Sequence, residues 1–420
     1  YAVTAYDFGF TAGEISPTET PIKVDVDPEG NVSTGSNVIE IRPRAPVAGY
    51  LPAEVTELEH ISGTSTGIVG YKIVDPRIVE DGHRYEITFE DTVIAGPVFD
   101  NLTTKNFTVT DLTDDKVELS KSTLFNKGEE VPLIDGFRLS FINEDRVKVN
   151  EVTSRWSSEN IFSFQFGRVQ FLSVIGELFP NDYQVIIGEP GIAASKDTSI
   201  SFLSLPAREV NFKVINLIEN EPVEFAFSEI DGNDGRFTID STDANRTDTI
   251  FLLEPNDDGE LVYTWQITLN LVPRTGRNPA AGDTLTVFLR KPFLSRDVFR
   301  FTVKAEEASN QVAKNELDDI RVVPNPYIAA ARWEPRNPFS SGRGPRELHF
   351  INLPKQCTIR IFNVNGVLID TIEHNSTLDN GTAIWDMLSK DNLEISYGLY
   401  VYYLDAPGIG QKTGNFAVIK

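Results

Sequence analysis

Runs of four to eight residues in which Val, Ile, Thr, Phe and Tyr alternate with polar residues recur along the whole chain, separated by clusters of Gly, Pro, Asn and Asp. A period of two marks a strand with one buried face. Tyr85-Glu86-Ile87-Thr88-Phe89, Phe137-Arg138-Leu139-Ser140-Phe141, Thr264-Trp265-Gln266-Ile267-Thr268-Leu269 and Phe299-Arg300-Phe301-Thr302-Val303 are examples. Few segments repeat apolar residues at helical spacing. The most helix-friendly stretch, Glu306 to Leu317, is mainly polar and reads as a linker. With 24 Pro and 29 Gly, the pattern predicts an all-β chain of tandem sandwiches.

One pattern recurs. Asn106-Phe107-Thr108-Val109-Thr110-Asp111-Leu112 leads through Asp114-Asp115 to Val117-Glu118-Leu119. Asn211-Phe212-Lys213-Val214-Ile215-Asn216-Leu217 leads through Glu219-Asn220 to Val223-Glu224-Phe225. Upstream, Tyr85 to Phe89 corresponds to Tyr183-Gln184-Val185-Ile186-Ile187. A third version runs from Ile359 through Asn363-Val364-Asn365-Gly366 to Ile369. Each copy predicts strand, tight turn, strand, with the Asp or Asn before the turn bonding its own backbone.

These signals divide the chain. Residues 1–26 read as the last strands of one domain. Residues 36–175 form a first β-sandwich, 176–305 a second, 306–320 a charged linker, and 321–420 a final domain. Tyr1-Ala2-Val3-Thr4-Ala5-Tyr6-Asp7 is already a full alternating strand, which predicts a cut from a larger precursor. Two strands alone are marginal in water, so this segment is expected to need a partner along its edges.

Composition narrows the partners. Sixty-two acidic residues against 38 basic ones leave a formal charge of −24. Nucleic acid and anionic lipid both need clustered Lys and Arg, so neither is expected to bind. No apolar run is long enough for a transmembrane helix, and no transmembrane segment is predicted. The single cysteine, Cys357, lies in the alternating run Cys357-Thr358-Ile359-Arg360-Ile361-Phe362 and reads as a buried strand residue.

The opening stretch resembles the penultimate strand of a fibronectin type III domain, with Ile22-Lys23-Val24-Asp25-Val26 as the final strand. The last hundred residues resemble the C-terminal sorting domain of cargo of the type IX secretion system of Bacteroidota, itself related in shape to the immunoglobulin-like domain of flagellar hook-capping proteins. The resemblance is carried by Val322-Val323-Pro324-Asn325-Pro326-Tyr327, the Ile359 to Ile369 hairpin, and Gly381-Thr382-Ala383-Ile384-Trp385-Asp386. It continues in Tyr397-Gly398-Leu399-Tyr400-Val401-Tyr402 and the terminal run Lys412 to Lys420. The pattern departs at Asp405-Ala406-Pro407-Gly408, which widens the last turn. The resemblance implies an immunoglobulin-like sandwich, a sorting signal usually removed on export, and the type IX machinery as partner. Trp333, Phe350, Ile361, Trp385, Tyr400 and Phe416 are its expected core or core-edge residues. Gly398 is expected to permit a bulge or close approach, and the final strand to offer an edge that a receptor could pair with.

Candidate chemistry is sparse. His60, His83, His349 and His374 are not spaced for zinc, and no Cys pair accompanies them. The loop Asp231-Gly232-Asn233-Asp234-Gly235 fails the spacing of a calcium-binding hand and reads as an acidic turn, leaving metal binding open. The turn Asn256-Asp257-Asp258-Gly259 is similar. No nucleophile elbow, phosphate loop or dinucleotide fingerprint occurs. Asp91-Thr92-Val93, Asp248-Thr249-Ile250, Asp283-Thr284-Leu285 and Asp370-Thr371-Ile372 resemble the O-glycosylation signal of Bacteroidota.

The sequence therefore predicts a secreted cell-surface protein, structural, adhesive or filament-forming, with no catalytic residues, no cofactor, and self-association by β-strand addition. Two alternatives remain: the accessory tail of an exported enzyme whose catalytic domain lies upstream of Tyr1, or a glycan-binding module within residues 36–305.

Overall fold

The computed structural model describes residues 1–419, apart from 10–15, 28–31, 42–43, 97–99, 126–130, 231–232, 241–242, 244–245, 272–275, 332, 335–343 and 345. The protein is all-β and built of tandem β-sandwiches. It divides into two compact units: Glu54–Ala305, and Tyr1–Ala53 with Glu306–Lys420.

Within Glu54–Ala305, the first sandwich has a five-stranded sheet in the order Glu54–Ser62, Val298–Lys304, Arg84–Ile94, Asn101–Asp111, Lys116–Ser122. The ribbon of Ile68–Ile73 with Phe137–Ile142 forms the opposing layer. Rings meet between the layers, Phe107 with Phe141 at 4.5 Å and Tyr85 with Phe137 at 5.0 Å. The second sandwich is one folded-over sheet of eight strands. Their order is Arg155–Trp156, Thr284–Val287, Tyr183–Ile187, Phe212–Asn216, Glu221–Ser228, Thr249–Pro255, Leu261–Asn270, Ser163–Arg168. Its inner face buries Tyr183, Phe212, Phe225, Ile250 and Trp265 in one core. On the outer face, two short ribbons at Gln170–Ile175 and Thr198–Leu205 cover Ala226, Phe251 and Leu253. A strand covered on both faces has no polar side, which accounts for the unbroken apolar run Ile250 to Leu253.

The expected division near residue 175 does not match the sheets. Ser163–Arg168 pairs with Leu261–Asn270 in the second sandwich. Val298–Lys304 returns to the first, between Glu54–Ser62 and Arg84–Ile94. The second sandwich is thus inserted into the first. The inward rings of the returning strand explain this: Phe301 stacks on Tyr85 at 5.2 Å, and Phe299 meets Phe89 at 6.1 Å.

All three recurrent segments are hairpins. In the first, Tyr85, Ile87 and Phe89 lie opposite Asp111, Val109 and Phe107. In the second, Tyr183, Val185 and Ile187 lie opposite Asn216, Val214 and Phe212, the same register. The third places Asn363 opposite Tyr400, from a strand that follows it in sequence. Each Asx oxygen accepts a backbone N–H two residues on: Thr113 to Asp111 at 2.7 Å, Ile218 to Asn216 at 2.9 Å and Asn365 to Asn363 at 2.9 Å. The left-handed residues that close the turns are Asp115, Asn220 and Gly366.

In the other unit, the final domain is a sandwich of three strands on five. The small sheet orders as Arg321–Val323, Leu348–Ile351, Ala383–Trp385. The large one orders as Tyr327–Ile328, Gly410–Ile419, Gly398–Ala406, Gln356–Asn363, Leu368–Asn375. Residues 45–51 were expected in the first sandwich but run along this one. The N–H groups of Val47, Ala48 and Gly381 donate to Leu378, Leu353 and Ala45 at 2.9, 2.9 and 2.8 Å, and Val47 and Ala48 are buried. Nor is 306–320 a bare linker. Glu307–Ala308 pairs with Tyr50–Leu51, and Asn310–Asn315 is a helix capped by Ser309, whose hydroxyl accepts the Val312 N–H. Glu316 accepts the Gly49 N–H at 2.6 Å, so one of the linker's charges serves a backbone group.

The opening segment differs most from expectation. Among the described residues, Tyr1–Asp7 makes only isolated bridges, Ala2 to Val38 and Tyr6 to Glu19, while Val24–Val26 pairs forward with Val32–Thr34. Alternation alone does not make a strand where no layer among the described residues buries its apolar face. Tyr1, Val3, Tyr6 and Phe8 stay exposed.

Candidate functional site

The residues that carry the resemblance to a sorting domain meet in the core of the final sandwich. Trp385, Tyr400, Phe416, Phe350 and Ile361 are buried together. Tyr400 stacks on Phe416 at 5.5 Å, and Trp385 meets Phe416 edge-on at 5.9 Å. The Trp385 indole N–H lies 2.9 Å from Asp370 Oδ2 and 3.0 Å from the Leu388 carbonyl, tying the small sheet to the hairpin. Trp333 lies outside the buried cluster, at its edge: it is 46% exposed and lies against His349 at 5.0 Å. The glycines also sort differently. A Cβ at Gly398 would meet nothing within 4 Å, and its pairing with Val418 has no bulge. The close approach is at Gly414 instead, where a Cβ would lie 2.4 Å from the Tyr402 hydroxyl.

The terminal strand is not a free edge. Gly410–Ile419 pairs along its length with Gly398–Ala406, and the turn between them is only Pro407 to Ile409, so the expected widening is absent. On its other side, Tyr327–Ile328 pairs with Val418 and Ile419. The Asn325 carboxamide acts as a one-residue substitute strand. It donates to the Asn415 carbonyl and accepts from the Ala417 N–H, both at 3.1 Å. The outer strand of this sheet is Leu368–Asn375, whose Asp370 and Glu373 disfavour edge-to-edge pairing.

The histidines all have partners. His60 Nε2 donates to Asp297 Oδ1 at 2.9 Å, and the ring stacks on Phe299 at 4.2 Å. His349 lies 3.1 Å from Glu347. His374 is 3.1 Å from Ser376, a pairing that resembles a nucleophile and base. The Ser376 hydroxyl, however, donates to the Asn380 carbonyl at 2.6 Å, and burial pushes the His374 pKa down. His83 is the exception to the spacing argument. Its Nδ1 lies 2.7 Å from Asp111 and its Nε2 3.1 Å from Glu80. Donor atoms of Glu80, His83 and Asp114 fall within 4.8 Å of one another. Their positions in sequence span a loop and a hairpin turn, so linear spacing could not find them.

Two acidic turns are held by local hydrogen bonds. In the candidate calcium loop, Asp231 and Gly232 lie outside the described residues. The N–H of Gly235 donates at 3.1 Å to Glu229, which is paired with Arg208. Asn256 accepts the N–H groups of Asp258 and Glu260 at 3.0 and 2.9 Å, forming the expected turn. Of the glycosylation-like positions, Asp248 and Asp283 are buried, Thr92 is half-buried and Thr371 is exposed. Two shallow grooves of about 520 and 570 Å³ flank the 149–157 segment, one floored by Gln184 and Thr286, the other by Gln165 and Gln266. A buried network surrounds Glu254, which accepts from Tyr183 at 2.7 Å, Thr264 at 2.7 Å and Asn181 at 3.0 Å.

No family model matches the chain, and no curated protein does. Among solved structures, the chain is similar to PorZ, described as an essential surface component of the type IX secretion system of Porphyromonas gingivalis. The match has 13% identity and a TM-score of 0.20, covering 79% of this chain and 45% of that one. A dimeric latent PorU from the same organism matches at 12% identity and a TM-score of 0.17, covering 92% of this chain and 35% of that one. The BSP domain of a biofilm-associated protein matches at 9% identity and a TM-score of 0.15, covering 92% and 84%. The chain spans less than half the length of the PorZ and PorU chains. Similarity at this level carries no argument about function. Among the described residues, no helix is long and apolar enough to cross a membrane.

Proposed function

We propose that this chain is a secreted, cell-surface protein of structural or adhesive kind, and that its final domain directs export through a type IX secretion system. One observation carries the reading: Trp385, Tyr400 and Phe416, drawn from three separated motifs, share one core in a small sandwich that closes on the terminal strand. The signal is then the folded surface of this sandwich rather than a free strand, because Asn325 and Tyr327–Ile328 occupy the strand's outer side. The chain is not itself catalytic. The exposed apolar side chains of Tyr1, Val3, Tyr6 and Phe8 support self-association by strand addition. Sedimentation at rising concentration reads that step, and a monomer throughout would remove it.

The test of export uses the whole chain behind a secretory leader, in a bacterium with a type IX system and in the same strain lacking its outer-membrane translocon. Protease shaving of intact cells should remove the chain in the first strain only, with the second retaining it in the periplasm. Equal distribution in the two strains would overturn the proposal.

A further inference from the structure

At one rim of the first sandwich, the loop before strand Arg84–Ile94 meets the turn after Asn101–Asp111. Asp111 is held in place there: its side chain is 3% exposed, and its Oδ1 accepts the Thr113 N–H at 2.7 Å. Its Oδ2 lies 2.7 Å from His83 Nδ1, so Nδ1 carries the hydrogen and donates it. That contact fixes the tautomer and turns Nε2 outward, toward Glu80 and Asp114. Nε2 lies 3.1 Å from Glu80 Oε2, a contact that either a proton on Nε2 or a metal ion can bridge. The imidazole separates this group from an ordinary acidic patch. The neighbouring carboxylates are already compensated: Lys116 pairs with Glu118 at 2.8 Å, and Tyr85 donates to Asp135 at 2.8 Å.

We propose that Glu80, His83 and Asp114 form a binding site for one divalent transition-metal ion of the zinc class, with Asp111 as a positioning residue behind the imidazole. One nitrogen and two carboxylate oxygens suit zinc in four-coordination with water as the fourth ligand. Bonds of about 2.0–2.2 Å at tetrahedral angles set donor atoms about 3.3 Å apart. The Glu80–His83 separation of 3.1 Å already matches, and rotation of exposed carboxylates closes the rest. Calcium and magnesium are disfavoured because each requires six or more ligands, mainly oxygen. A backing carboxylate on the second ring nitrogen is the usual support of a metal-bound histidine. The ion would pin the 80–83 loop to the 111–116 turn.

The competitor is a proton on Nε2, which would satisfy the same contact without metal. Calorimetric titration of the full chain, stripped with chelator, separates the two. With zinc chloride, one equivalent should bind with a Kd of about 10 μM or below, while magnesium and calcium chloride give no saturable heat. His83→Ala should abolish binding. Asp111→Asn should weaken it about 10–100-fold, and Asp114→Asn, at an exposed position, should weaken it without affecting the fold. Nitrogen-detected NMR of the ring should show zinc moving the Nε2 signal while Nδ1 stays protonated. No saturable zinc binding below 1 mM in the unsubstituted chain, or the same isotherm in His83→Ala and Asp114→Asn, would overturn the proposal.

Discussion

Two substitutions of Trp385 separate packing from polar anchoring in the final sandwich. The indole is 2% exposed, and its N–H reaches Asp370 Oδ2 at 2.9 Å and the Leu388 carbonyl at 3.0 Å. Trp385→Ala deletes the ring against which Phe416 packs, a change that costs about 3–5 kcal/mol in a core that cannot collapse around it. A domain's whole stability is roughly 5–15 kcal/mol, so this variant is left marginal. Trp385→Phe keeps most of the buried area and removes only the donor. Each lost hydrogen bond is worth about 1 kcal/mol net. Asp370 is partly exposed and can turn to water, which puts the Phe variant at about 1–2 kcal/mol. Urea unfolding of the full chain, followed by hydrogen exchange at the Phe350 and Tyr402 amides, reads this sandwich apart from the others. A Trp385→Ala cost below about 1 kcal/mol, or a Phe variant as damaged as the Ala variant, would refute the reasoning.

Other perturbations reach the remaining features. A Cβ at Gly381 would lie 2.4 Å from the Pro46 carbonyl oxygen, so Gly381→Ala should displace the 45–48 segment and lower stability by about 1–3 kcal/mol; rapid exchange at the Ala48 amide would report it, and unchanged protection would count against the packing. Burial raises the pKa of Glu254, outweighing its three hydrogen bonds. A raised acid pKa gives stability that is full below the unfolded value, about 4.3, and is lost as pH rises through the folded one. The unfolding free energy of the native chain minus that of Glu254→Gln should therefore fall as pH rises above about 4, and a flat or rising difference would contradict this. Burial also pushes the Cys357 thiol up to about 12. It should react with a disulfide reagent at pH 8 only after unfolding; labelling of the native chain at mixing speed would show that the residue is not buried.

What the sequence alone determined lies within short stretches of chain. The period of two marked the strands because each residue's inward or outward direction follows from its immediate neighbours. The Asx residues before the turns marked all three hairpins, because Asp111, Asn216 and Asn363 bond backbone only two residues away. The buried Tyr85 and Tyr183 could be matched for the same reason, each lying on a strand adjacent to its hairpin. Tertiary structure decided which strands are partners. The alternation in Phe299-Arg300-Phe301 announces a strand, but not that it returns past the whole second sandwich to lie beside Arg84–Ile94. Nor does the last strand's sequence reveal that a carboxamide ninety residues earlier occupies its edge. His83 and Asp111 stand 28 positions apart, and only the pairing of their strands brings the ring within 2.7 Å of the carboxylate. Backbone hydrogen bonds are alike at every residue, so strand partners are chosen by which apolar faces fit together, and that choice belongs to the folded whole.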